Sequence, residues 1–501
     1  MSDRARRGWR VAGGLAGGFA LSFLWAANRI EPAVPFPPLL VAERIIRLTP
    51  GDLATFFIDT LGRNAIRLLT VGTLGGSLAV SALLPEAAAA RGRPRPYLAG
   101  ALAAIATAAG ALIGPLSPRP VGLAFGALAA GALYAVSVAW LLDGSGGEAD
   151  LSRRRALASI GAAAVGFAAG GTLLGRIARR LAGPNTSVPI RAADEPAELP
   201  VRPPFPDVPG LTPEITVVED HYVVDIDLLD PVVEADGWRL RVQGLVDAPL
   251  DLTFRELERG FTLVEEHSVL TCISNPVGGD LVGSSAWTGV RLGDVLARAA
   301  VRKDAVDVVF RCADGYSDSL PVEAAFDPTV ILAIAQNGRP LTWEHGFPCR
   351  MRSPAVYGVK NPKWIEEIEV LGHDYKGYWE ERGWSDVATV RTQSRIDVVG
   401  PELRAGRPTW IAGVAWAGSR SVSRAEVSVD GGRTWKEARR KLPVSRLAWT
   451  QWAFGWIPPG SGRFRIVCRA VDGDARLQEA AERPPHPSGA SGYHEIEVEV
   501  A

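Results

Sequence analysis

The sequence predicts three parts: an N-terminal all-α domain with several membrane spans, a central α+β domain and a C-terminal immunoglobulin-like β-sandwich. Long stretches rich in Ala, Gly, Leu and Val are confined to residues 1–180 of the 501-residue chain. From about residue 190 onward, Trp, Asp, Glu and Pro are interspersed as in a soluble protein. From about residue 384 onward, short alternating runs separated by turns replace the mixture of helical and strand patterns.

Five stretches of the N-terminal domain, residues 1–180, come near the roughly 20 apolar residues needed to cross a bilayer. Arginine clusters precede the first stretch, separate the second from the third and precede the fifth. By the positive-inside rule, we expect a multi-pass protein of a bacterial cell membrane whose soluble part lies on the extracytoplasmic side. The five stretches are about 9–28, 66–84, 97–115, 121–142 and 156–175.

The rest of the chain divides at changes in composition and pattern. Residues 181–212 are rich in Pro and small residues and predict an extended linker. In the central domain, residues 213–383, "HYVVDIDL" and "GWRLRVQGLV" alternate like strands, and "LTFRELERG" predicts a capped helical turn. In the C-terminal domain, residues 384–501, Asp430-Gly431-Gly432 separates two alternating runs and predicts a hairpin. Several such strands over roughly 110 residues are typical of an immunoglobulin-like sandwich.

Composition excludes several classes of function. The formal net charge of −1 gives no electrostatic ground for a nucleic-acid partner. None of the four cysteines is spaced as Cys-x-x-Cys, which argues against an iron–sulfur cluster, a zinc ribbon or attached haem c. All six histidines lie outside the membrane region, and the only methionines are Met1 and Met351. The membrane region therefore lacks the usual axial ligands of haem.

The stretch that could carry chemistry is "VLTCISNPVGGDLVGSSAWTGVRLGDVL", residues 269–296. Cys272 follows a predicted strand and begins a polar, glycine-rich loop that contains Asn275. A thiol in this position could serve as a soft metal ligand or as a nucleophile. The alternative is a buried structural cysteine, or half of a disulfide outside the cell.

This stretch resembles the molybdenum-cofactor oxidoreductases of the sulfite oxidase family, in which a single cysteine thiolate binds the metal. Four other blocks are similar to that family in the same order, and together they cover nearly all of residues 213–501. They are "HYVVDIDLLDPVVEADGWRLRVQGLVDAPLDLTFRELE", "VVFRCADGYSDSLP", "NGRPLTWEHGFPCRMRSPAVYGVKNPKWIEEIEV" and "GVAWAGSRSVSRAEVSVDGGRTW". The last resembles the family's dimerisation domain, which implies a homodimer.

The resemblance implies a molybdenum-molybdopterin cofactor with Cys272 as the protein ligand of the metal and as a catalytic residue. It also implies a set of cofactor contacts in three further segments and in the loop after the cysteine. They are His221, Tyr222, Asn275, Cys312, His345, Arg350, Gly358, Val359, Lys360 and Lys363. Taken singly, each of these residues could instead have an ordinary structural role.

The sequence departs from the sulfite oxidase pattern next to the ligand. Sulfite oxidases follow the cysteine with Ala-Gly-Asn and two arginines, whereas here Asn275 is followed by Pro276 and Val277. A doubly charged substrate would lack its expected partner there, which puts sulfite itself in doubt. Tyr375 in "DYKGYW" resembles the active-site tyrosine of that family and is a candidate proton donor, although it lies closer to the lysine block than in the family.

Arg153-Arg154-Arg155 precedes the mild, Ala/Gly-rich fifth stretch and resembles a twin-arginine export signal. A domain that folds around a cofactor made in the cytoplasm would need a route for folded cargo, and the twin-arginine export machinery would then be a partner. The alternative is plain positive-inside anchoring. Arg6-Arg7 is a rival pair of arginines.

Two functions from different classes remain open. The first is a membrane-anchored molybdenum oxidoreductase that acts on a small-molecule substrate, either a sulfite-like anion or an S- or N-oxide. Its electrons would pass to or from a separate carrier, a cytochrome or a quinone-linked protein, because the chain offers no second redox site. The second is a non-enzymatic, membrane-tethered binding or assembly protein with a degenerate cofactor domain.

Overall fold

The computed structural model describes residues 3–30, 34–50, 64–89, 95–113, 120–143, 188–226, 230–400 and 402–501, together with residues 53, 56, 57 and 61. The chain forms two compact units: one contains the N-terminal helices, and the other consists of Asn185–Ile226 and Val233–Ala501. The helices described in the first unit are α1 (Asp3–Ile30), α2 (Pro37–Leu48), α3 (Asn64–Ala87), α4 (Pro96–Ile113) and α5 (Pro120–Asp143).

Three of these helices are long and apolar enough to cross a membrane, at Arg6–Asn28, Ala65–Ala87 and Leu123–Leu141. They coincide with three of the five predicted spans. The prediction for 97–115 corresponds to a shorter apolar segment, Pro96–Ala109. This span stays a prediction, because α4 runs to Ile113 and residues 114–119 lie outside the described residues. The fifth prediction, 156–175, lies outside the described residues, as do Arg153–Arg155.

Glycines let these helices pack closely. A Cβ atom on Gly17 of α1 would lie 2.3 Å from the Cβ atom of Ser81 in α3. A Cβ atom on Gly100 of α4 would lie 2.7 Å from the carbonyl oxygen of Gly131 in α5. Contacts this close exclude larger side chains, which is typical of helices that associate in a membrane.

The described part of the α+β domain of the second unit contains one mixed sheet, one antiparallel sheet and three short α-helices. One sheet has the order β2-β1-β10-β5-β6, in which only β1 and β10 run parallel, and the other has the order β3-β4-β7-β8 with β9 paired to β7. The strands are β1 (Arg239–Gly244), β2 (Leu250–Thr253), β3 (Leu263–Thr271), β4 (Val282–Arg291), β5 (Asp307–Cys312), β6 (Ser317–Pro321), β7 (Ile331–Gln336), β8 (Arg339–Pro340), β9 (Arg350–Arg352) and β10 (Ile365–Leu371). The helices are α6 (Phe254–Gly260), α7 (Leu292–Arg298) and α8 (Val322–Ala325).

Local sequence explains how α6 begins. The hydroxyl of Thr253 accepts a hydrogen bond from the backbone N–H of Glu256, and the Glu256 carboxylate accepts one from the backbone N–H of Thr253. This reciprocal capping box is the capped turn that the sequence predicts in "LTFRELERG". The buried residues Phe254 and Leu257 then pack into the core that both sheets share.

The C-terminal domain consists of two four-stranded antiparallel sheets. Their orders are β11-β12-β16-β15 and β14-β13-β17-β18. Ile411 and Trp452 from the first sheet pack against Val427 and Ile466 from the second in one buried cluster. The hairpin predicted at residues 430–432 joins β13 to β14. The strands are β11 (Gln393–Val399), β12 (Thr409–Trp416), β13 (Val422–Ser428), β14 (Lys436–Glu437), β15 (Arg439–Arg440), β16 (Thr450–Trp456), β17 (Gly462–Asp472) and β18 (His494–Val500).

The described part of the predicted linker, residues 188–212, belongs to the second unit and packs against both of its domains. Arg191 donates from its side chain to the carbonyl oxygens of Glu258 and Phe261. Val208 is buried in a cluster with Ala412 and Ala453 of the sandwich. A Pro-rich segment lacks strand and helix patterns, but its apolar side chains can still be buried. The composition of the segment does not reveal that burial.

We expect Trp452→Ala to destabilise the second unit by about 3–5 kcal/mol, because it empties a fully buried indole site between the two sheets. Trp410→Ala is the matched control: Trp410 lies on the adjacent strand β12 and is 37% exposed, so we expect a loss of only about 1 kcal/mol. Urea unfolding of the full chain in detergent measures both values. Equal losses would contradict the burial of Trp452 between the two sheets.

Candidate functional site

Cys272 lies immediately after β3, at the start of a loop that folds back on itself. Its backbone N–H donates to the carbonyl oxygen of Leu281 at 2.9 Å, and its carbonyl oxygen accepts from the N–H of Asn275 at 3.1 Å. The Asn275 side-chain oxygen accepts from the N–H of Leu281 at 3.0 Å, which closes the loop. A Cβ atom on Gly279 would lie 2.4 Å from that oxygen, so only glycine fits there. Cys272 is therefore held in a tightly bonded turn.

The thiol of Cys272 is free and buried. Its sulfur lies 3.0 Å from the hydroxyl oxygen of Ser274. Burial raises the pKa of the Cys272 thiol, and the hydrogen bond with Ser274 partly opposes that rise. The disulfide alternative is not realised, since Cys312, Cys349 and Cys468 are free as well.

Gly358 brings a second segment against the cysteine. It begins a 3₁₀ turn, Gly358–Lys360, that follows β9. A Cβ atom on Gly358 would lie 2.8 Å from the hydroxyl oxygen of Tyr222 and 3.7 Å from the Cα atom of Cys272. A larger side chain at this position would displace Tyr222 from the surroundings of the thiol.

His221, Tyr222 and His345 form an aromatic group at one side of the site. The ring of His221 stacks on Tyr222 at 5.2 Å and meets His345 edge-on at 5.4 Å between centroids. Burial holds the pKa of His221 well below its usual value, and burial together with Arg350 lowers the pKa of His345 to about 3. Both imidazoles are therefore neutral at physiological pH. The Nε2 atom of His221 is buried without a hydrogen-bond partner among the described residues.

Arg350 carries a positive charge into this interior. Its guanidinium donates to the carbonyl oxygens of His345, at 3.0 Å, and Asn361, at 3.3 Å, and lies 5.3 Å from the centre of the Trp287 ring. Its Nε atom is buried and unpartnered in the part of the chain that the structure describes. Burial lowers the pKa of Arg350 to about 10, so the group remains charged.

Arg352 adds a second buried guanidinium, at a residue outside the predicted set. It donates to the Ser268 hydroxyl and to the carbonyl oxygen of Val269, each at 3.0 Å, and to the Asn361 side chain. Burial, together with the repulsion from Arg350, lowers its pKa to about 9. The signal was present in the sequence, because Arg350 and Arg352 are two apart on one strand and therefore project to the same side of the sheet.

Every hydrogen-bond acceptor of these two guanidinium groups that the structure describes is neutral. Two carboxylates influence them without accepting a hydrogen bond from either. Asp225, which pairs with Lys363, acts on Arg350, and Glu266 on β3, whose pKa burial raises to about 7, acts on Arg352. Two buried cations without a hydrogen-bonded carboxylate are costly, because buried charges are normally paired. An anionic group bound beside Arg350 and Arg352 would supply the missing charge.

The two lysines of the predicted set have different surroundings. The Lys360 ammonium is buried among the carboxylates of Asp318, at 2.8 Å, Asp386, at 3.1 Å, and Glu380. Burial opposes its charge, but these carboxylates prevail and raise the pKa of Lys360. Lys363 donates to the carbonyl oxygen of Glu344 at 2.7 Å and pairs with Asp225. Lys360 thus interacts with its own carboxylate cluster, and its predicted role at the cofactor stays a prediction.

The described contacts of two other predicted residues are with groups other than the thiol, and their roles stay predictions. Cys312 ends β5 inside the main core, and burial raises its pKa well above the usual value. Tyr375 donates its backbone N–H to Asp307 at 2.8 Å, and its hydroxyl lies 2.8 Å from that of Ser317. Among the described residues, no hydrogen bond or ring contact joins Tyr375 or Cys312 to Cys272. Val359 makes a backbone contact: its carbonyl oxygen accepts a hydrogen bond from the Tyr316 hydroxyl at 2.7 Å.

The arrangement fits a cofactor that brings its own metal ligands and negative charge. In the described residues, no group of three or more His, Cys, Asp or Glu side chains could hold a metal ion. A metal beside Cys272 would therefore have one protein thiolate and take its remaining ligands from the cofactor. The soft donor, the buried cations and the unpartnered nitrogen atoms agree with an anionic, sulfur-ligated metal cofactor.

Comparisons with known proteins agree with this chemistry. Residues 228–379 match the family described as "Oxidoreductase molybdopterin binding domain", and residues 385–483 match the "Mo-co oxidoreductase dimerisation domain". The structure of the sulfane dehydrogenase SoxCD from Paracoccus pantotrophus shares the fold with a TM-score of 0.51. It does so at 22% identity, over 63% of this chain and 94% of that one.

Sulfite oxidases are also similar in sequence. The enzyme of Gallus gallus is 32% identical over 325 residues, which cover 55% of this chain and 69% of the chicken protein. The mitochondrial enzyme of Mus musculus is 34% identical over 257 residues, which cover 44% of this chain and 47% of the mouse protein, so the chain spans about half of that relative. Identity at this level over two thirds of the chicken enzyme establishes the family: the chain is a molybdopterin-dependent oxidoreductase of the sulfite oxidase family.

Proposed function

We propose that this protein is a membrane-anchored, outward-facing oxidoreductase that carries out two-electron, oxygen-atom-transfer chemistry on a sulfite-like anion or an S- or N-oxide. The observation that carries the proposal is the free, buried thiol of Cys272 beside the glycine turn at Gly358, with the guanidinium groups of Arg350 and Arg352 donating only to neutral acceptors among the described residues. Sulfite oxidases and a nitrate reductase of Hordeum vulgare among the relatives support chemistry of this class.

The residues of the site would divide the work of holding the cofactor. Cys272 would lose its proton and bind the metal as a thiolate, and the buried loop would hold the sulfur in place. Arg350 and Arg352 would bind anionic oxygens of the cofactor through their planar donor groups. His221 and His345, both neutral, would act as hydrogen-bonding groups without adding charge. Bound molybdopterin would supply the redox-active molybdenum.

The substrate would meet a site with little free positive charge. Pro276 and Val277 occupy the positions at which the sulfite oxidase pattern has two arginines. Lys360 is already neutralised by the carboxylates around it. These surroundings favour a substrate of lower charge than the sulfite dianion, while the two-electron chemistry is unaffected. Tyr375, which is partly exposed, remains our candidate proton donor.

The remaining features concern partners and location. The three helices long enough to span a membrane would anchor the enzyme, and the arginine pattern would place the second unit on the extracytoplasmic side. The match to a dimerisation domain supports a homodimer formed through the sandwich. The membership of an enzyme family disfavours the alternative of a non-enzymatic assembly protein. A separate cytochrome or quinone-linked carrier would exchange electrons with the molybdenum.

The decisive measurement is metal content. We expect the purified wild type to contain molybdenum and to give a Mo(V) electron paramagnetic resonance signal on partial reduction. Cys272→Ala should abolish the activity and change or remove that signal, because the protein ligand is lost. Cys468→Ala is the matched control, since this thiol is buried in the sandwich core and should leave both readouts unchanged. A wild type that contains no molybdenum, or a Cys272→Ala variant with an unaltered signal, would refute the proposal.

Export of the folded domain is tested separately. We expect Arg153→Lys combined with Arg154→Lys to leave the second unit in the cytoplasm, because the change keeps the charge but removes the arginine pair that defines the signal. Protease added outside spheroplasts should then no longer digest the unit. The same double change at Arg6 and Arg7 is the control, and it should leave external digestion intact. Unchanged digestion of the first variant would favour plain positive-inside anchoring.

A further inference from the structure

The sandwich domain contacts the chain on both sides of Cys272. Upstream, the backbone N–H of Val269 in β3 donates at 3.0 Å to the carbonyl oxygen of Leu447, which belongs to the C-terminal domain. Ile273, next to the cysteine, is buried in a cluster with Trp416 and Trp449 of the same domain. Val269, three residues before the cysteine, and Ile273, directly after it, are thus packed against a different domain from the one that carries the thiol.

Downstream, Arg395 of β11 bonds to the loop that closes over the cysteine. One of its guanidinium nitrogens donates to the carbonyl oxygen of Gly279 at 2.8 Å, and another donates to the Thr212 hydroxyl at 3.1 Å. The carboxylate of Asp397 accepts from the Nε atom of Arg395 at 2.6 Å. Both side chains are largely buried, since Arg395 is 14% exposed and Asp397 is 7% exposed. Arg395 is therefore fixed by its own strand and can hold Gly279 in a defined position.

The imidazole of His494 in β18 packs against Gly278 in the same loop. A Cβ atom on Gly278 would lie only 2.3–2.4 Å from the Cδ2 and Nε2 atoms of the imidazole, so the backbone rests directly on the ring. Gly278 has φ = +73°, a conformation that also favours glycine. The Nδ1 atom of His494 accepts from the N–H of Ile396 at 3.0 Å, which fixes the ring relative to Arg395.

We propose that Arg395 and His494 are positioning residues for Cys272: the sandwich holds the 275–281 loop, and that loop sets where the thiol lies. The connection is short. Arg395 holds Gly279, Gly279 packs against the Asn275 side chain, and Asn275 receives the N–H of Leu281, whose carbonyl oxygen binds the N–H of Cys272. The inference rests on the proposed function only in taking Cys272 as the metal ligand.

The energetic argument concerns the loop and not the stability of the whole domain. The loop has no strand pairing between Cys272 and Leu281, so side-chain contacts limit its local opening. A hydrogen bond from a charged donor such as Arg395 suppresses local opening by about tenfold to a hundredfold. Removing it would release the loop while both sandwich sheets remained paired.

The test uses the full chain in detergent, purified without cofactor from cells unable to make molybdopterin. We expect Arg395→Ala and His494→Ala each to raise the rate at which iodoacetamide alkylates Cys272 by about tenfold or more. Arg395→Lys, which keeps one donor, should restore a rate closer to that of the wild type. Peptide mass spectrometry assigns the alkylated residue. Arg465→Ala is the matched control, because Arg465 pairs with Glu495 on the same domain but on its exposed side.

Cys468 reports on unfolding in the same experiment, since it is buried in the core of the sandwich. Selective alkylation of Cys272 with Cys468 still protected supports the inference. Alkylation of both thiols together, or wild-type protection of Cys272 in the Arg395→Ala and His494→Ala variants, would overturn it. In cofactor-loaded protein, we further expect Arg395→Ala to shift the Mo(V) resonance signal while molybdenum is still bound. An unchanged signal in a loaded variant would refute the inference and leave the proposed function intact. A wild type without molybdenum would refute only the proposed function.

Discussion

Arg350 and Arg352 carry positive charge into the interior of the α+β domain, where a charge removed from water is costly unless an opposite charge compensates it. Their described hydrogen bonds go to carbonyl, hydroxyl and amide oxygens, which satisfy the donors but do not neutralise the charge. The nearby imidazoles of His221 and His345 are neutral because burial lowers their pKa values. The site is therefore a cationic interior that an anionic cofactor would complete.

The thiol completes this arrangement from another part of the chain. Cys272 lies at the end of β3, the guanidinium groups lie on β9, and Gly358 begins the turn that follows β9. β3 and β9 belong to the same sheet, in which β4 and β7 lie between them. The sheet thus fixes the spacing between the soft donor and the buried cations, and glycine at 358 lets the Tyr222 hydroxyl lie against the turn beside the cysteine.

Lys360, in the turn that begins at Gly358, directs its charge away from the two guanidinium groups. Its backbone lies beside the site, but its ammonium is directed into the carboxylates of Asp318, Glu380 and Asp386. The C-terminal domain adds a further constraint, because Arg395 and His494 contact the loop that carries the thiol. The catalytic domain and the sandwich are therefore joined at the cysteine itself and not only along a remote surface.

Composition and periodicity alone were enough to predict the apolar N-terminal helices, the capped turn at Thr253 and the hairpin at Asp430, because these depend on interactions between residues near one another in the chain. The strand end at Cys272 and its glycine-rich loop were visible for the same reason. The packing of the linker at Val208, the carboxylate partners of Lys360 and the neutral hydrogen-bond acceptors of Arg352 could not be predicted. Each of these depends on which distant residues meet in space. Only the tertiary structure brings Arg395 to Gly279, or leaves two buried guanidinium groups without a hydrogen-bonded carboxylate among the described residues.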